Sequence, residues 1–117
     1  MTTNVKYKIS NDIMNVKKTI GEILRERREE KGLFLRQVSA LLEMDTAILS
    51  KVERGTRKAT KEQIIKLAEI LELDKDELLI QYLSEKIAYE LMDEDVATKT
   101  LKVAEQKVKY LKSNPNK

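Results

Sequence analysis

Between Phe34 and Gly55 the chain reads FLRQVSALLEMDTAILSKVERG, and this stretch admits few backbone paths. Leu35, Val38, Ser39, Leu41 and Leu42 recur at the spacing of one amphipathic helix. Glu43 and Met44 interrupt it. Asp45 then offers a carboxylate to the free N–H groups of a second helix, which runs from Thr46 to about Arg54. That helix hides Leu49 and Val52 and shows Thr46, Ala47, Ser50 and Lys51 to the outside. Gly55 stops it, because glycine takes the left-handed conformation beyond a helix end without a Cβ clash. Two short helices joined by a tight turn are the centre of the chain.

Both flanks carry helical patterns. The first helix is expected from about Thr19 to Lys31, with an inner stripe of Ile20, Ile23 and Leu24 and with Arg27 and Arg28 as further candidates for it. Gly32 ends it, and Leu33 packs in. Past the basic loop Thr56–Ala59, Thr60 is an N-cap and Gln63 sits three residues on, as in a capping box. The helix that follows runs to about Leu71 with Ile64, Ile65, Leu67, Ala68 and Leu71 inside, and Leu73 plugs the gap after it. Asp74 caps a fifth helix, whose first turn holds Asp76 and Glu77, where the helix dipole favours acids. With one proline, three glycines and no alternating strand pattern, the expected class is all-α.

The fifth helix continues to about Met92. Asp93-Glu94-Asp95 reads as a turn or as the start of a sixth helix, Val96 to about Lys112. There Ala97, Leu101, Ala104, Val108 and Leu111 are spaced 4, 3, 4 and 3 apart, an a/d seam. Two heptads do not stand alone, so the seam needs a partner, either the preceding helix or a second copy of the chain. Residues 1–17 show no period and read as a flexible arm, within which Met1 and Met14 are both candidate starts. Residues 113–117 hold the only proline and read as a frayed tail.

Cysteine and histidine are both absent. That removes a Cys/His zinc site, a thiol nucleophile and a Ser-His pair. No apolar run approaches the roughly 18–20 residues that span a bilayer, and the N-terminus lacks a signal-peptide core. Cytoplasm is the default expectation. Asp93, Glu94 and Asp95 crowd together, but no base, metal set or glycine loop accompanies them. Neither catalysis, nor a metal, nor a cofactor is expected. The net charge of +3 hides an asymmetry: residues 1–60 hold 13 Lys/Arg against 8 Asp/Glu, a net +5, and residues 61–117 hold 10 against 12, a net −2. A cationic face on the half that bears the helix pair suits a polyanion, because neutralising phosphates releases counterions. The competing reading is an ordinary solvated charge mosaic.

From Ile20 to Leu79, about half the chain, the sequence resembles the phage-repressor/Cro-like, Xre-type family of helix-turn-helix domains. LRERREEKGL, LRQVSALLEMDTAILSKVERG and TKEQIIKLAEILELDKDEL carry the likeness in register, and Ile48 to Gly55 match its strongest signature. The resemblance implies five helices around one core, with the third lying in the major groove of double-stranded DNA. By position it implies base contacts from Thr46, Ala47, Ser50 and Lys51. Lys51 suits guanine O6/N7, Thr46 and Ala47 suit a thymine methyl, and Ser50 suits either a donor or an acceptor. It implies phosphate contacts from Arg36, Arg54, Arg57 and Lys58, and a structural ion pair between Arg28 and Glu53. Phe34 and Leu35 stand where the family usually has Thr or Ser and then Gln, and Glu43 stands where it usually has a turn glycine.

The expected organisation is therefore an arm (1–17), a DNA-binding domain (18–79), a helical extension (80–112) and a tail (113–117). Ile80, Leu83, Ile87, Leu91, Leu101, Val108 and Leu111 would form the contact surface of a homodimer, or fold back to thicken the monomer core. The expected function is a sequence-specific transcriptional regulator, a repressor or a restriction-modification controller. The alternative is an antitoxin-like or adaptor protein whose C-terminal helices bind a protein partner.

Overall fold

A computed structural model of the chain describes residues 15–114. Most of the expected arm, with Met14, and the last three residues of the tail lie outside them. The described residues form six helices and no strand: α1 (Ile20–Glu30), α2 (Leu35–Leu41), α3 (Thr46–Arg54), α4 (Lys61–Leu71), α5 (Lys75–Leu91) and α6 (Ala97–Ser113). They divide into two compact units, the first ending at Glu85 and the second beginning at Lys86.

Local chemistry starts these helices. Thr19 Oγ1 accepts from the Glu22 N–H at 3.1 Å, and the Glu22 carboxylate accepts from the Thr19 N–H at 2.9 Å. Thr60 and Gln63 repeat this capping box on α4. Asp74 Oδ1 accepts from the Glu77 N–H at 3.0 Å to cap α5. α2 differs, because the Phe34 side chain has no acceptor; only the reverse half of the box is made, from the Phe34 N–H to Gln37 Oε1 at 2.7 Å.

Local chemistry also stops them. Gly32, Glu43, Gly55 and Glu72 all take positive φ, from 54° to 82°. After each, the chain folds back through one long-reach bond: Leu33 N–H to Arg28 O, Met44 N–H to Ser39 O, Thr56 N–H to Lys51 O and Leu73 N–H to Ala68 O, at 2.9–3.1 Å.

The core of the first unit is aliphatic. Leu24, Leu49, Ile64, Leu67, Leu71, Leu73 and Leu78 are each at most 1 % exposed. Full burial of such a side chain contributes about 1.5–3 kcal/mol before entropy is counted. Leu41, grouped by spacing with the inner residues of α2, is 64 % exposed. The buried face of α2 centres on Val38, Ser39 and Leu42, and Leu41 points roughly 100° away from it. α1 and α3 approach so closely that a Cβ on Gly21 would collide with the Val52 and Glu53 carbonyl oxygens.

Polar bonds close this unit. Arg27 Nε donates to Leu71 O at 2.7 Å and Nη2 to Glu72 O at 3.3 Å, while Lys31 pairs with the Glu72 carboxylate at 2.5 Å. Gln81 Nε2 donates to Lys18 O at 3.0 Å, the Tyr82 hydroxyl to Ala59 O at 2.8 Å, and the Ile20 N–H to Glu85 Oε1 at 2.9 Å. These three contacts carry the first unit to Glu85, past Leu79.

In the second unit, Met92–Val96 forms turns and α6 follows. α6 has no buried residue. Leu101, Val103, Val108, Tyr110 and Leu111 are all about half exposed. Among the described residues no helix is long and apolar enough to cross a membrane.

Candidate nucleic-acid interface

α3 is held from below by Leu49 and Val52, which are buried in the core with Glu53. Thr46, Ala47 and Lys51 are exposed and Ser50 is half-buried. The helix therefore presents one continuous polar and small-residue face. Asp45 caps it, accepting from the Ala47 N–H at 2.8 Å. The carboxylate is thus engaged with the helix it starts, which keeps an acid from standing unsatisfied on this face.

The cations around α3 have different settings. Lys51, Arg57 and Lys58 are exposed and have no partner among the described residues. Arg54 folds back and donates through Nε to Ser50 O at a long 3.4 Å. The Lys51 carbonyl receives both the Thr56 N–H at 2.9 Å and the Thr56 hydroxyl at 3.3 Å, which fixes the start of the basic loop. Arg36 lies over the Phe34 ring, 4.6 Å from its centroid. A guanidinium stacked this way keeps its N–H edge open to a phosphate.

Beneath this face sits a buried ion pair. Arg28 Nε and Nη2 meet Glu53 Oε2 and Oε1 at 2.8 and 3.0 Å, and Arg28 Nη1 donates to Leu33 O at 2.8 Å. Hydrogen bonding to Glu53 raises the Arg28 pKa further above its ordinary value, against the lowering effect of burial. Both charges are satisfied, so the pair fixes the base of α3 against α1 and offers nothing to a ligand.

One contact unites two residues that sequence reasoning kept apart. Spacing places Ser39 on the inner face of α2 and Thr46 on the outer face of α3. Their hydroxyl oxygens lie 2.7 Å apart. Ser39 is 2 % exposed, and its hydroxyl also lies 3.3 Å from the Arg36 carbonyl as donor. No spacing rule reports such a contact, because the Glu43 turn creates it. Ile80, Leu83 and Ile87 of α5 are half exposed, and Leu91 is half-buried. No group of three or more His, Cys, Asp or Glu among the described residues can hold a metal ion.

A family model described as a helix-turn-helix domain matches residues 19–79, slightly more than half of the chain. No curated protein matches. Among solved structures, the restriction-modification controller protein C.AhdI from Aeromonas hydrophila is similar, with 33 % identity over 59 % of this chain and 98 % of that one, at a TM-score of 0.48. A chain of the SinR protein/SinI protein complex is 24 % identical over 81 % of this chain and 99 % of that one, at a TM-score of 0.47.

Proposed function

Because the chain belongs to the helix-turn-helix domain family, we propose that it is a sequence-specific transcriptional regulator that binds double-stranded DNA as a dimer, with α3 in the major groove. It acts as a repressor or as a restriction-modification controller, by occupying an operator rather than by catalysis, and requires no cofactor. The observation that carries this reading is the division of α3: one face is locked by Leu49, Val52 and the Arg28–Glu53 pair, and the other is left open. A rigid helix with a free polar face and unpaired cations beside it has the form that groove reading requires.

On that face Lys51 donates to guanine O6/N7, Thr46 and Ala47 meet a thymine methyl, and Ser50 serves as donor or acceptor. Arg36, Arg54, Arg57 and Lys58 hold flanking phosphates and set the register without reading sequence. Two copies about one turn of DNA apart, roughly 34 Å, multiply the specificity of a single unit. The dimer contact is formed by Ile80, Leu83, Ile87, Leu91, Leu101, Val108 and Leu111.

The test is selection from a randomised duplex pool, then titration of the winner against a scramble at two salt concentrations. A two-fold-symmetric motif bound about 10³-fold or more above the scramble is expected. Lys51→Ala should abolish that preference. Weak binding without a motif, vanishing steeply with salt, would reduce the cationic face to a non-specific one. The exposed apolar residues of α6 favour a second reading, in which the C-terminal helices bind a different protein. Solution size, alone and mixed with candidate partners, separates the two.

A further inference from the structure

We infer that Ser39 is a specificity-determining residue, which acts by fixing the direction in which the Thr46 hydroxyl donates. The inference rests on the DNA-reading role proposed above. A serine hydroxyl carries one proton, and so does a threonine hydroxyl. Ser39 Oγ has two neighbours, Thr46 Oγ1 at 2.7 Å and Arg36 O at 3.3 Å. The carbonyl can only accept. If Ser39 donates to Thr46, the Arg36 contact carries no proton. If Thr46 donates to Ser39 and Ser39 donates to Arg36, both contacts become hydrogen bonds. Ser39 is buried away from water, so the arrangement that satisfies more of its contacts is favoured. The chain of protons therefore runs inward: Thr46 to Ser39 to Arg36.

The consequence appears on the outer face. Thr46 is exposed at the first position of α3, but its proton is spent inside the protein. Towards the groove it offers a methyl group and oxygen lone pairs, and no donor. Lone pairs accept from adenine N6 or cytosine N4, and the methyl packs on a thymine methyl. The acceptor edge of guanine, O6 and N7, meets no donor there. Thr46 thus selects against guanine at its own base position, while Lys51, five residues further along α3, remains the residue suited to guanine. Ser39 touches no base in this arrangement and is a positioning residue.

The experiment selects duplexes from one randomised pool with three proteins: the unaltered full chain, Ser39→Ala and Thr46→Val. Thermal melting checks that each variant is folded. In Ser39→Ala the Thr46 hydroxyl loses its inward acceptor and turns outward as a donor. Guanine should then be admitted at one base position and its symmetry mate, with the rest of the motif unchanged. Thr46→Val keeps the shape and removes the lone pairs. It should lower the preference for an amino-bearing base at that same position by about tenfold, while leaving thymine tolerated. A purely structural Ser39 would weaken all sequences alike. An unchanged base preference in Ser39→Ala, or a Thr46→Val change at a different position, would overturn the inference and leave the DNA-reading role standing. If Ser39→Ala does not fold, a Thr46→Val protein with the unaltered preference overturns it alone. If the unaltered chain enriches no motif, the role and the inference fall together.

Discussion

Glutamate at a left-handed position is an unfavourable choice, and this chain makes it twice. Glu43 has φ 54° and Glu72 has φ 55°. A side chain there costs roughly 1–2 kcal/mol that glycine avoids. The two sites differ in what the side chain returns. The Glu72 carboxylate pairs with Lys31 at 2.5 Å. Glu43 is exposed, and its carboxylate forms no hydrogen bond or ion pair among the described residues. Glu43→Gly should therefore stabilise the fold by about 1 kcal/mol, and Glu72→Gly by less, as read from denaturant midpoints. No gain, or a loss, at Glu43 would show that its turn is not strained, and equal gains at the two sites would show that the Lys31 pair returns nothing at Glu72. Gly21 is the opposite case. A methyl there meets α3 backbone that has no rotamer to change, so Gly21→Ala should cost about 1–3 kcal/mol or more. The stops at Gly32 and Gly55 could be read from sequence because glycine announces a left-handed residue. At Glu43 and Glu72 the end of each helix was legible from the break in the apolar pattern, but the left-handed backbone was not, since burial of the following Leu73 and part-burial of Met44 pull the chain back against local preference. Gly21 was silent for a related reason, because only the tertiary approach of α3 demands it.

At the scale of elements, capping and pairing decide which helices hold firm. Asp45, Thr60 and Asp74 were legible as starts because their side chains do local chemistry within three residues. The Arg28–Glu53 pair spans 25 residues, so periodicity could not join it and only resemblance suggested it. Truncating Glu53 to Ala should cost about 3–5 kcal/mol by leaving Arg28 buried and unpaired, whereas Arg28→Met combined with Glu53→Leu should recover much of that loss. A small loss in the single variant would mean water reaches the site. α5 carries a pH signature. Burial, and then the neighbouring Asp74, raise the Glu77 pKa above the ordinary carboxylate value. The folded state thus holds this proton more tightly than the unfolded one, and stability falls as pH rises from the ordinary value through the raised one. Glu77→Gln should flatten that part of the stability–pH profile. An unchanged slope would assign it to other carboxylates.

For the whole molecule, the open question in energy is the apolar surface of the C-terminal helices. The a/d spacing on α6 was legible, but spacing does not name the partner of a seam. Leu101, Val108 and Leu111 are each about half exposed, as are Ile80, Leu83 and Ile87 on α5. At about 25 cal/mol per Å², covering such side chains is a substantial driving force, although association entropy consumes much of it. In the proposed dimer this surface is what links two reading heads. The second head then binds its half-site at a high effective concentration, which raises affinity by about 10²–10⁴-fold without any new DNA contact. A charge in the seam separates the two functions. Leu101→Asp together with Val108→Asp should leave the melting of the first unit nearly unchanged, because α6 contributes no buried residue. Sedimentation equilibrium should show the variant as a monomer at concentrations where the unaltered chain is a dimer. Its affinity for a full operator should fall by about 10²-fold or more, while its affinity for an isolated half-site stays the same. An unaltered chain that is itself monomeric, or a variant whose full-operator affinity does not change, would remove the dimer from the mechanism and return the C-terminal surface to a different protein partner.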